Sequence, residues 1–459
     1  MILQDNFMAQ NSNKNLFQKM NIQKAVLTLV IPTVLSQLIV VIYNMSDSFW
    51  IGQLNDPAQI AAATLCVPAF LLTMGIANIF GIGGASLISR CLGQHRYTQA
   101  KATCAFCLWS AIICALIYGI LFSFFEYPLL HFIGATSETY SFSTEYAFWT
   151  VVLGSVPATL NGLFGHLVRS EGYAKQASFG MALGVILNMI LDPILIFAFH
   201  LQIAGAALAT LLSMTIGCIY FIHFICTRPQ TSVLTLNPKH YRIHNIAAEV
   251  LLVGLPSTLT SLMALSSNVV INILTASYST FAVAGMGIAK RIDLIVFAIA
   301  NGFGQGVLPL IGYTYAAKNF QRMRAAIKIT LLYSLGLAIV TAIGLYFSAH
   351  PLIQLFIQDE QTVLYGQAFL KIICVTCPCV SLTLIMLTIF QATGQKFRPI
   401  FLSLIRKGGL DIPLMYFLNH SFGVLGIAWA LPIEDIIAMV IAFIMFVPFW
   451  KNLSCTTTA

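Results

Sequence analysis

The chain has 459 residues and a formal net charge of +8, yet only 8% of its residues are charged and 58% are hydrophobic. A soluble domain carries about 25% charged residues, so this composition excludes a protein with an ordinary water-facing surface. Apolar runs of about 20 residues recur along the sequence, which is enough to cross a hydrocarbon core of roughly 30 Å. The composition therefore predicts an all-α polytopic membrane protein.

Residues 1–26 are predicted to form a cytoplasmic N-terminal segment, because residues 1–23 are polar and lack the apolar core of a cleavable signal peptide. Twelve membrane-spanning helices follow. The first six form an N-terminal bundle over 27–226, with spans at 27–51, 60–88, 102–125, 144–168, 176–199 and 204–226. After a cytoplasmic linker loop at 227–246, a C-terminal bundle covers 247–450, with spans at 247–275, 282–313, 325–348, 362–390, 399–418 and 424–449. A cytoplasmic tail at 451–459 ends the chain.

The positions of lysine and arginine give the predicted orientation. Eighteen of the 23 basic residues lie in the two terminal segments or at the loops that follow helices 2, 4, 6, 8 and 10. Arg169 is one of them, in the loop after helix 4. None lies in the loops on the opposite side, which contain Asp56, Glu126, Glu138, Asp359 and Glu360. By the positive-inside rule, both termini are cytoplasmic. The basic loops therefore need no nucleic acid to explain them.

The two halves of the sequence resemble each other at a nearly constant offset. Pro32 in VIPTVLSQL pairs with Pro256 in VGLPSTLTSL, IANIFG in helix 2 pairs with IANGFG in helix 8, and GAALA in helix 6 pairs with GIAWA in helix 12. Two similar bundles that rock about a central site are typical of secondary transporters. A duplicated fold that serves as a scaffold or receptor is the alternative.

Neither an ATPase nor another enzyme is indicated. No nucleotide-binding loop of the GxxxxGK[ST] type is present, so an ion gradient is the expected energy source. The three cysteines of CVTCPC at 374–379 fall inside a predicted helix, whereas a structural zinc site needs four well-placed ligands. No metal is therefore expected beyond a coupling Na⁺, and no paired acid and base points to catalysis.

Ionisable residues inside membrane spans are costly and usually functional. In the N-terminal half, residues one helical turn apart share a helix face, and three such pairs stand out: Tyr43 with Asp47 in helix 1, Asn188 with Asp192 in helix 5, and Ala206 with Thr210 in helix 6. If these faces meet, their carboxylate, amide, hydroxyl and carbonyl oxygens form a site for a monovalent cation. A proton would also fit, because two nearby carboxylates in a low dielectric cannot easily both ionise. Ordinary interhelical hydrogen bonding by Asn188 and Thr210 is the alternative interpretation.

Pro32 lies about four turns before Asp47 in helix 1. Proline in a membrane helix frees a backbone carbonyl and permits bending, so Pro32 is predicted as a hinge coupled to protonation, with a static kink as the alternative. Some acids of the second half are expected to have local ionic partners: Asp293 with Lys290 or Arg291, and Asp411 with Arg406 or Lys407.

At these residues the sequence resembles the multidrug and toxic compound extrusion (MATE) family. The segment PTVLSQLIVVIYNMSDSFWIGQL resembles the first helix of that family, with its proline and its aspartate. LNMILDPILIF and GAALATLLS resemble its Asn–Asp–Pro and Gly–Ala–Ala–Ala–Thr segments in helices 5 and 6, and GIAKRI and FGQGVLPLIGY in helix 8 also match. The resemblance covers roughly residues 20–450.

The resemblance implies an antiporter that exports organic cations or drugs across the bacterial inner membrane in exchange for inward H⁺ or Na⁺, by alternating access. It is closest to the DinF-like branch, because the acidic pair lies in the N-terminal bundle. Carried over by position, the cation-site residues are Asp47, Asn188, Asp192 and Thr210, with the Ala206 carbonyl. Positions that line the N-lobe cavity correspond to Tyr43, Asn161 and Met181, and Pro32 corresponds to the residue where helix 1 bends.

The resemblance implies that small organic cations and membrane lipids are the partners of this protein. It implies no cofactor besides the coupling ion, and the protein is expected to be a monomer. The other main branch carries essential acids in its C-terminal bundle, so a second cation site there remains open. The alternative function is a flippase for lipid-linked or metabolite substrates of the same superfamily. It is disfavoured because helices 1–6 hold acidic residues and no clearly buried base to face an anionic headgroup.

Overall fold

The computed structural model describes residues 15–54, 56–228 and 232–455, with side chains through residue 453. Every regular element in this part of the chain is a helix. By their internal contacts the residues form two compact units. The first unit consists of residues 38–258 together with the described residues that precede residue 22. The second unit consists of Ile22–Gln37 together with the described residues from Leu259 onward. The bundle boundaries drawn from the spans alone, at 27–226 and 247–450, stay a prediction.

Eight helices from Ile22 onward precede the linker in the described residues. They are α1 (Ile22–Gly52), α2 (Pro57–Gly93), α3 (Tyr97–Phe124), α4 (Glu126–Ile133), α5 (Tyr140–Ala147), α6 (Ser155–Ser170), α7 (Ala174–Pro193) and α8 (Gln202–Cys226). Wider π-helical turns extend two of them, at Phe148–Leu153 after α5 and at Ile194–Ala198 after α7. Predicted helices 5 and 6 are thus α7 and α8.

Eight helices follow the linker. They are α9 (Ala247–Ala276), α10 (Thr280–Ala316), α11 (Phe320–Phe347), α12 (Ala349–Gln354), α13 (Glu360–Cys374), α14 (Cys377–Ala392), α15 (Phe397–Leu404) and α16 (Asp411–Cys455). A π-helical segment at Ile405–Leu410 joins α15 to α16. The short helices α4 and α12, which connect longer ones, were not predicted.

All twelve predicted spans fall on helices. Within the described ranges, nine helices are long and apolar enough to cross a membrane, and two bent pairs can each serve as one more span. These pairs bend by 49° between α5 and α6 and by 48° between α13 and α14. The run Phe397–Leu453 holds the last two spans, because its backbone leaves helical geometry at Gly423. The protein is therefore an all-α membrane protein of twelve spanning helices in two six-helix bundles, as predicted.

Glycines permit close helix packing in the first unit. A Cβ atom on Gly83 would lie 2.1 Å from the carbonyl oxygen of Val250, and one on Gly254 would lie 2.0 Å from that of Ile79. Real Cβ atoms never approach so closely, so α2 and the start of α9 can touch only because both residues lack side chains. Small residues at membrane helix interfaces serve this purpose, and the glycine-rich segment 81–84 is thereby explained as a packing surface.

The linker is held to the first unit by a buried carboxylate. Glu171, in the turn between α6 and α7, accepts hydrogen bonds from the Ser232 hydroxyl at 2.7 Å and from the Val233 N–H at 2.5 Å. Val233 and Leu234 then pack into the apolar core of this unit. Burial raises the pKa of Glu171 from 4.5 to about 7, although these hydrogen bonds and the Arg228 charge act in the opposite direction.

This environment predicts a pH-dependent contribution to stability. A carboxyl group whose pKa rises on folding stabilises the fold fully below about pH 4.5, and the contribution is lost as the pH rises through about 7. Glu171→Gln stays neutral, so the variant should be more stable than the native protein at pH 8, by up to about 3 kcal/mol, and its advantage should vanish by pH 4.5. Thermal unfolding in detergent across this pH range measures the difference. A difference that does not change with pH would contradict the prediction.

Candidate functional site

The first unit contains a cluster of buried oxygen atoms built from three helices. Tyr43 and Asp47 lie one turn apart on α1, and the Tyr43 ring is buried. Asp47 Oδ1 is buried and has no hydrogen-bond partner among the described residues. The Asp47 carboxylate interacts electrostatically with the Asp192 carboxylate, and both carboxylates interact electrostatically with the Tyr43 hydroxyl. These three side chains therefore lie close together.

Asn188 connects the α7 part of this cluster to α8. Asn188 and Asp192 are both fully buried. In the amide orientation that satisfies both ends, the Asn188 nitrogen donates to Asp192 Oδ2 at 3.1 Å, while its oxygen accepts from the Thr210 hydroxyl at 3.2 Å and N–H at 3.1 Å. The Thr210 hydroxyl also lies 3.1 Å from the carbonyl oxygen of Ala206. The structure thus brings together all five residues predicted for the cation site.

The cluster has the chemistry of a cation site. It offers two carboxylates, an amide oxygen, a hydroxyl and a backbone carbonyl, and oxygen ligands of this kind suit hard cations. Neither Asp47 nor Asp192 forms an ion pair with a base in the described part of the chain. Two like charges this close repel each other in a low dielectric, and binding of one cation or one proton would relieve the repulsion.

Asn161 and Met181, which were predicted with Tyr43 to line a cavity, lie elsewhere in the same unit. Asn161 is buried between α7 and α8, where its Nδ2 lies 3.2 Å from Met214 Sδ and where Gly184 and Gly217 pack against it. Met181 Sδ lies 3.5 Å from an Arg169 nitrogen. Neither Asn161 nor Met181 shares a hydrogen bond with Asp47 or Asp192 within the described ranges, so their role as cavity residues stays a prediction.

Two functional candidates of the first unit escaped sequence reasoning. Arg169 was assigned to a cytoplasmic loop, but it ends α6 and is only 1% exposed, so the expectation that the first six helices hold no buried base was wrong. Tyr146 on α5 packs against the apolar cluster that contains Ala206 and therefore lies near the oxygen cluster. No spacing rule links α5 to α1 and α7, because only their packing makes them neighbours.

Pro32 lies inside α1, which continues as one helix from Ile22 to Gly52. By its contacts Pro32 belongs to the second unit, whereas Tyr43 and Asp47 belong to the first. Its role as a hinge stays a prediction.

The second unit buries an ionic cluster that the sequence predicted only in part. Lys407 pairs with Asp411 at 3.7 Å, as expected, but also with Glu434 at 2.8 Å. Arg406 pairs with Asp435 at 3.2 Å rather than with Asp411. Asp293 interacts with the charge of Lys290, while the alternative partner Arg291 is exposed. Partners on α16 could not be inferred from local spacing.

Comparison with known proteins decides the family. The MatE family model matches residues 32–194 and again residues 256–417. The chain belongs to the MatE family. The two matches begin at Pro32 and Pro256, the residues that the sequence repeat pairs, and they confirm that the two halves of this MatE protein are related.

Curated relatives and solved structures agree with this assignment. The chain is 31% identical over 431 residues to the multidrug export protein MepA of Staphylococcus saprophyticus subsp. saprophyticus, and 30% identical over 433 residues to MepA of Staphylococcus haemolyticus, with 94% of each chain covered in both pairs. The fold matches a MATE protein crystallised in complex with MaL6 at a TM-score of 0.90 and 23% identity, covering 96% of this chain and 98% of that one. It also matches the bent form of the Vibrio cholerae MATE transporter VcmN, at a TM-score of 0.86 and 22% sequence identity. This match covers 95% of this chain and 98% of that one.

This MatE protein is therefore a membrane transporter and not an enzyme, as predicted. The comparisons give no support to the alternative of a lipid or metabolite flippase. They do not distinguish a DinF-like branch from others, so that assignment stays a prediction.

Thr210 should contribute more to stability than another threonine on its helix. Thr210→Val removes a buried hydroxyl that lies within hydrogen-bond distance of both the Asn188 oxygen and the Ala206 carbonyl oxygen, whereas Thr215→Val removes one that bonds only the Leu211 carbonyl, at 2.7 Å. After the first change the buried Asn188 oxygen keeps only the backbone N–H of residue 210 as a donor, so we expect this change to cost about 1 kcal/mol more. Thermal unfolding of the purified variants tests this, and equal losses would mean that the interhelical bond contributes nothing.

Proposed function

We propose that this protein is a secondary antiporter that exports organic cations or drugs in exchange for inward H⁺ or Na⁺. The relatives named multidrug export protein, which align over 94% of their length, support the substrate class. The observation that carries the proposal is the pair of carboxylates Asp47 and Asp192, which are close together, largely buried and without a basic partner in the described residues.

The proposed mechanism couples the occupancy of this pair to export by alternating access. In the outward-facing state a proton or Na⁺ enters from outside and neutralises the carboxylates, with the Asn188 oxygen and the Thr210 hydroxyl as further ligands. Neutralisation removes the repulsion between Asp47 and Asp192 and lets α1 bend at Pro32, which narrows the cavity lined by Tyr43, Asn161 and Met181 and expels the substrate. The protein then turns inward and releases the coupling ion. Such exchange requires that binding of the coupling ion lowers the affinity of the protein for the substrate, and that binding of the substrate lowers its affinity for the ion.

The proposed setting is the inner (cytoplasmic) membrane of a bacterium, with both termini cytoplasmic. The distribution of lysine and arginine supports this orientation, and the bacterial sources of the relatives support the membrane. We propose that the protein acts as a monomer surrounded by lipid, in the DinF-like mode in which the first bundle binds the coupling ion.

Asp47→Asn should abolish coupled export, because an amide cannot be neutralised by a cation. In bacteria that lack other pumps, we expect the variant to clear ethidium at least tenfold more slowly than the native protein at equal expression. Asp56→Asn is the matched control. It makes the same chemical change at the N-cap of α2, where the Asp56 carboxylate accepts from the Ala58 N–H at 3.0 Å, and asparagine caps helices equally well.

The same assay separates the two coupling ions. Collapse of the proton gradient in sodium-free medium should stop export if H⁺ is the coupling ion, whereas addition of Na⁺ should restore it if Na⁺ serves. Full retention of ethidium export by Asp47→Asn would refute the proposed mechanism. Failure of the native protein to export any organic cation would refute the substrate class.

A further inference from the structure

The second unit contains a break in a membrane helix beside its buried charges. Between α15 and α16 the backbone leaves helical geometry at Lys407 (φ −103°, ψ 120°) and Gly408 (φ 96°, ψ −49°). The positive φ of Gly408 lies in the region that L side chains rarely adopt, so glycine is required there. Irregular backbone at membrane depth is tolerated only where protein or a water-filled cavity surrounds it, and transporters place binding sites at such breaks.

The ammonium group of Lys407 lies between two fully buried carboxylates. Its Nζ is 2.8 Å from Glu434 Oε2 and 3.7 Å from Asp411 Oδ2. The Ser267 hydroxyl donates a further hydrogen bond to Asp411 Oδ2. Asp411 Oδ1 and Glu434 Oε1 have no hydrogen-bond partner among the described residues, although Arg406 Nε lies 3.7 Å from the latter. Each carboxylate therefore has one buried oxygen that accepts no hydrogen bond among the described residues.

The charges around this pair do not balance. Four carboxylates, of Asp293, Asp411, Glu434 and Asp435, face three bases, of Lys290, Arg406 and Lys407. Arg406 is engaged by Asp435, which also accepts from the Thr376 hydroxyl at 3.4 Å. With all seven groups ionised, one negative charge is uncompensated in this buried region, and an additional cation would be stabilised there.

We propose that Asp411 and Glu434 form a second binding site, for the charged end of an exported organic cation, and that Lys407 occupies this site as a tethered ammonium until the ligand displaces it. The inference rests on the proposed function, because it assigns a subsite to the same class of substrate. Lys407 is suited to this exchange for two reasons. Its side chain is 18% exposed, so the protein does not enclose the ammonium on every side. Its φ and ψ angles lie outside the helical region, next to the glycine at which the helix breaks.

Binding of ethidium to the purified protein, followed by fluorescence polarisation in detergent, tests the site apart from transport. Lys407→Gln removes the competing ammonium, so the apparent Kd for ethidium should fall at least threefold. Adding Glu434→Gln to that variant should return the Kd to within twofold of the native value, because one of the two carboxylates is lost. Lys371→Gln is the control: it removes a positive charge of the same unit whose ammonium lies over the Tyr346 ring at 5.5 Å, and it should leave the Kd unchanged.

Lys407→Arg tests the inference without removing the charge, and it serves if Lys407→Gln does not fold. Arginine can hold two carboxylate oxygens at once and should be harder to displace, so the Kd for ethidium should rise at least threefold. The inference would be overturned if the Kd for ethidium changed less than threefold in whichever of Lys407→Gln and Lys407→Arg folds. It would also be overturned if Lys371→Gln changed the Kd by the same factor. If export still depends on Asp47 in that case, the proposed function stands. If the native protein neither binds nor exports any organic cation, both fail together.

Discussion

The hydrocarbon core of a membrane offers no hydrogen-bond partners, and this constraint governs both the helices and the polar sites of this protein. Each unsatisfied backbone group in such a medium costs several kcal/mol, which is why the described chain is helical almost throughout. Three departures from regular α-helix in the described residues lie beside polar residues of the two proposed sites. The wide turn at Ile194–Ala198 follows Asp192, the one at Phe148–Leu153 follows Tyr146, and Ile405–Leu410 contains Arg406 and Lys407. Wide turns of this kind are frequently found at functional sites.

The two units bury carboxylates by different means. In the first unit, Asp192 accepts a hydrogen bond from the neutral Asn188 amide, and no base pairs with it among the described residues. A neutral hydrogen bond leaves the charge of the carboxylate in place, as the proposed binding of an external cation requires. In the second unit, Glu434 is paired with Lys407 and with Arg406. Internal bases offset most of the charge there, and at the proposed second site a ligand binds by replacing one of them.

The internal repeat explains the common architecture but not this difference. The MatE family model matches both halves, so the two share their helical framework. The residues that carry charge are not repeated with it. Asp47 and Asp192 lie in α1 and α7, whereas the buried acids of the second unit lie in α10 and α16. Duplication therefore supplied two similar scaffolds, and separate substitutions gave each scaffold its own polar chemistry.

The sequence by itself determined the number, type and approximate limits of the spanning helices, because apolar length is what a membrane selects. It also determined the repeat and the faces that carry Asp47, Asn188 and Thr210, because helical spacing is fixed by backbone geometry. Only the tertiary structure decided which faces meet. It placed Asn188 between Asp192 and Thr210, buried Arg169 at the end of α6, and opened the backbone at Lys407 so that it pairs with Glu434. Contacts between residues far apart in the chain depend on packing and charge compensation, which local patterns do not encode.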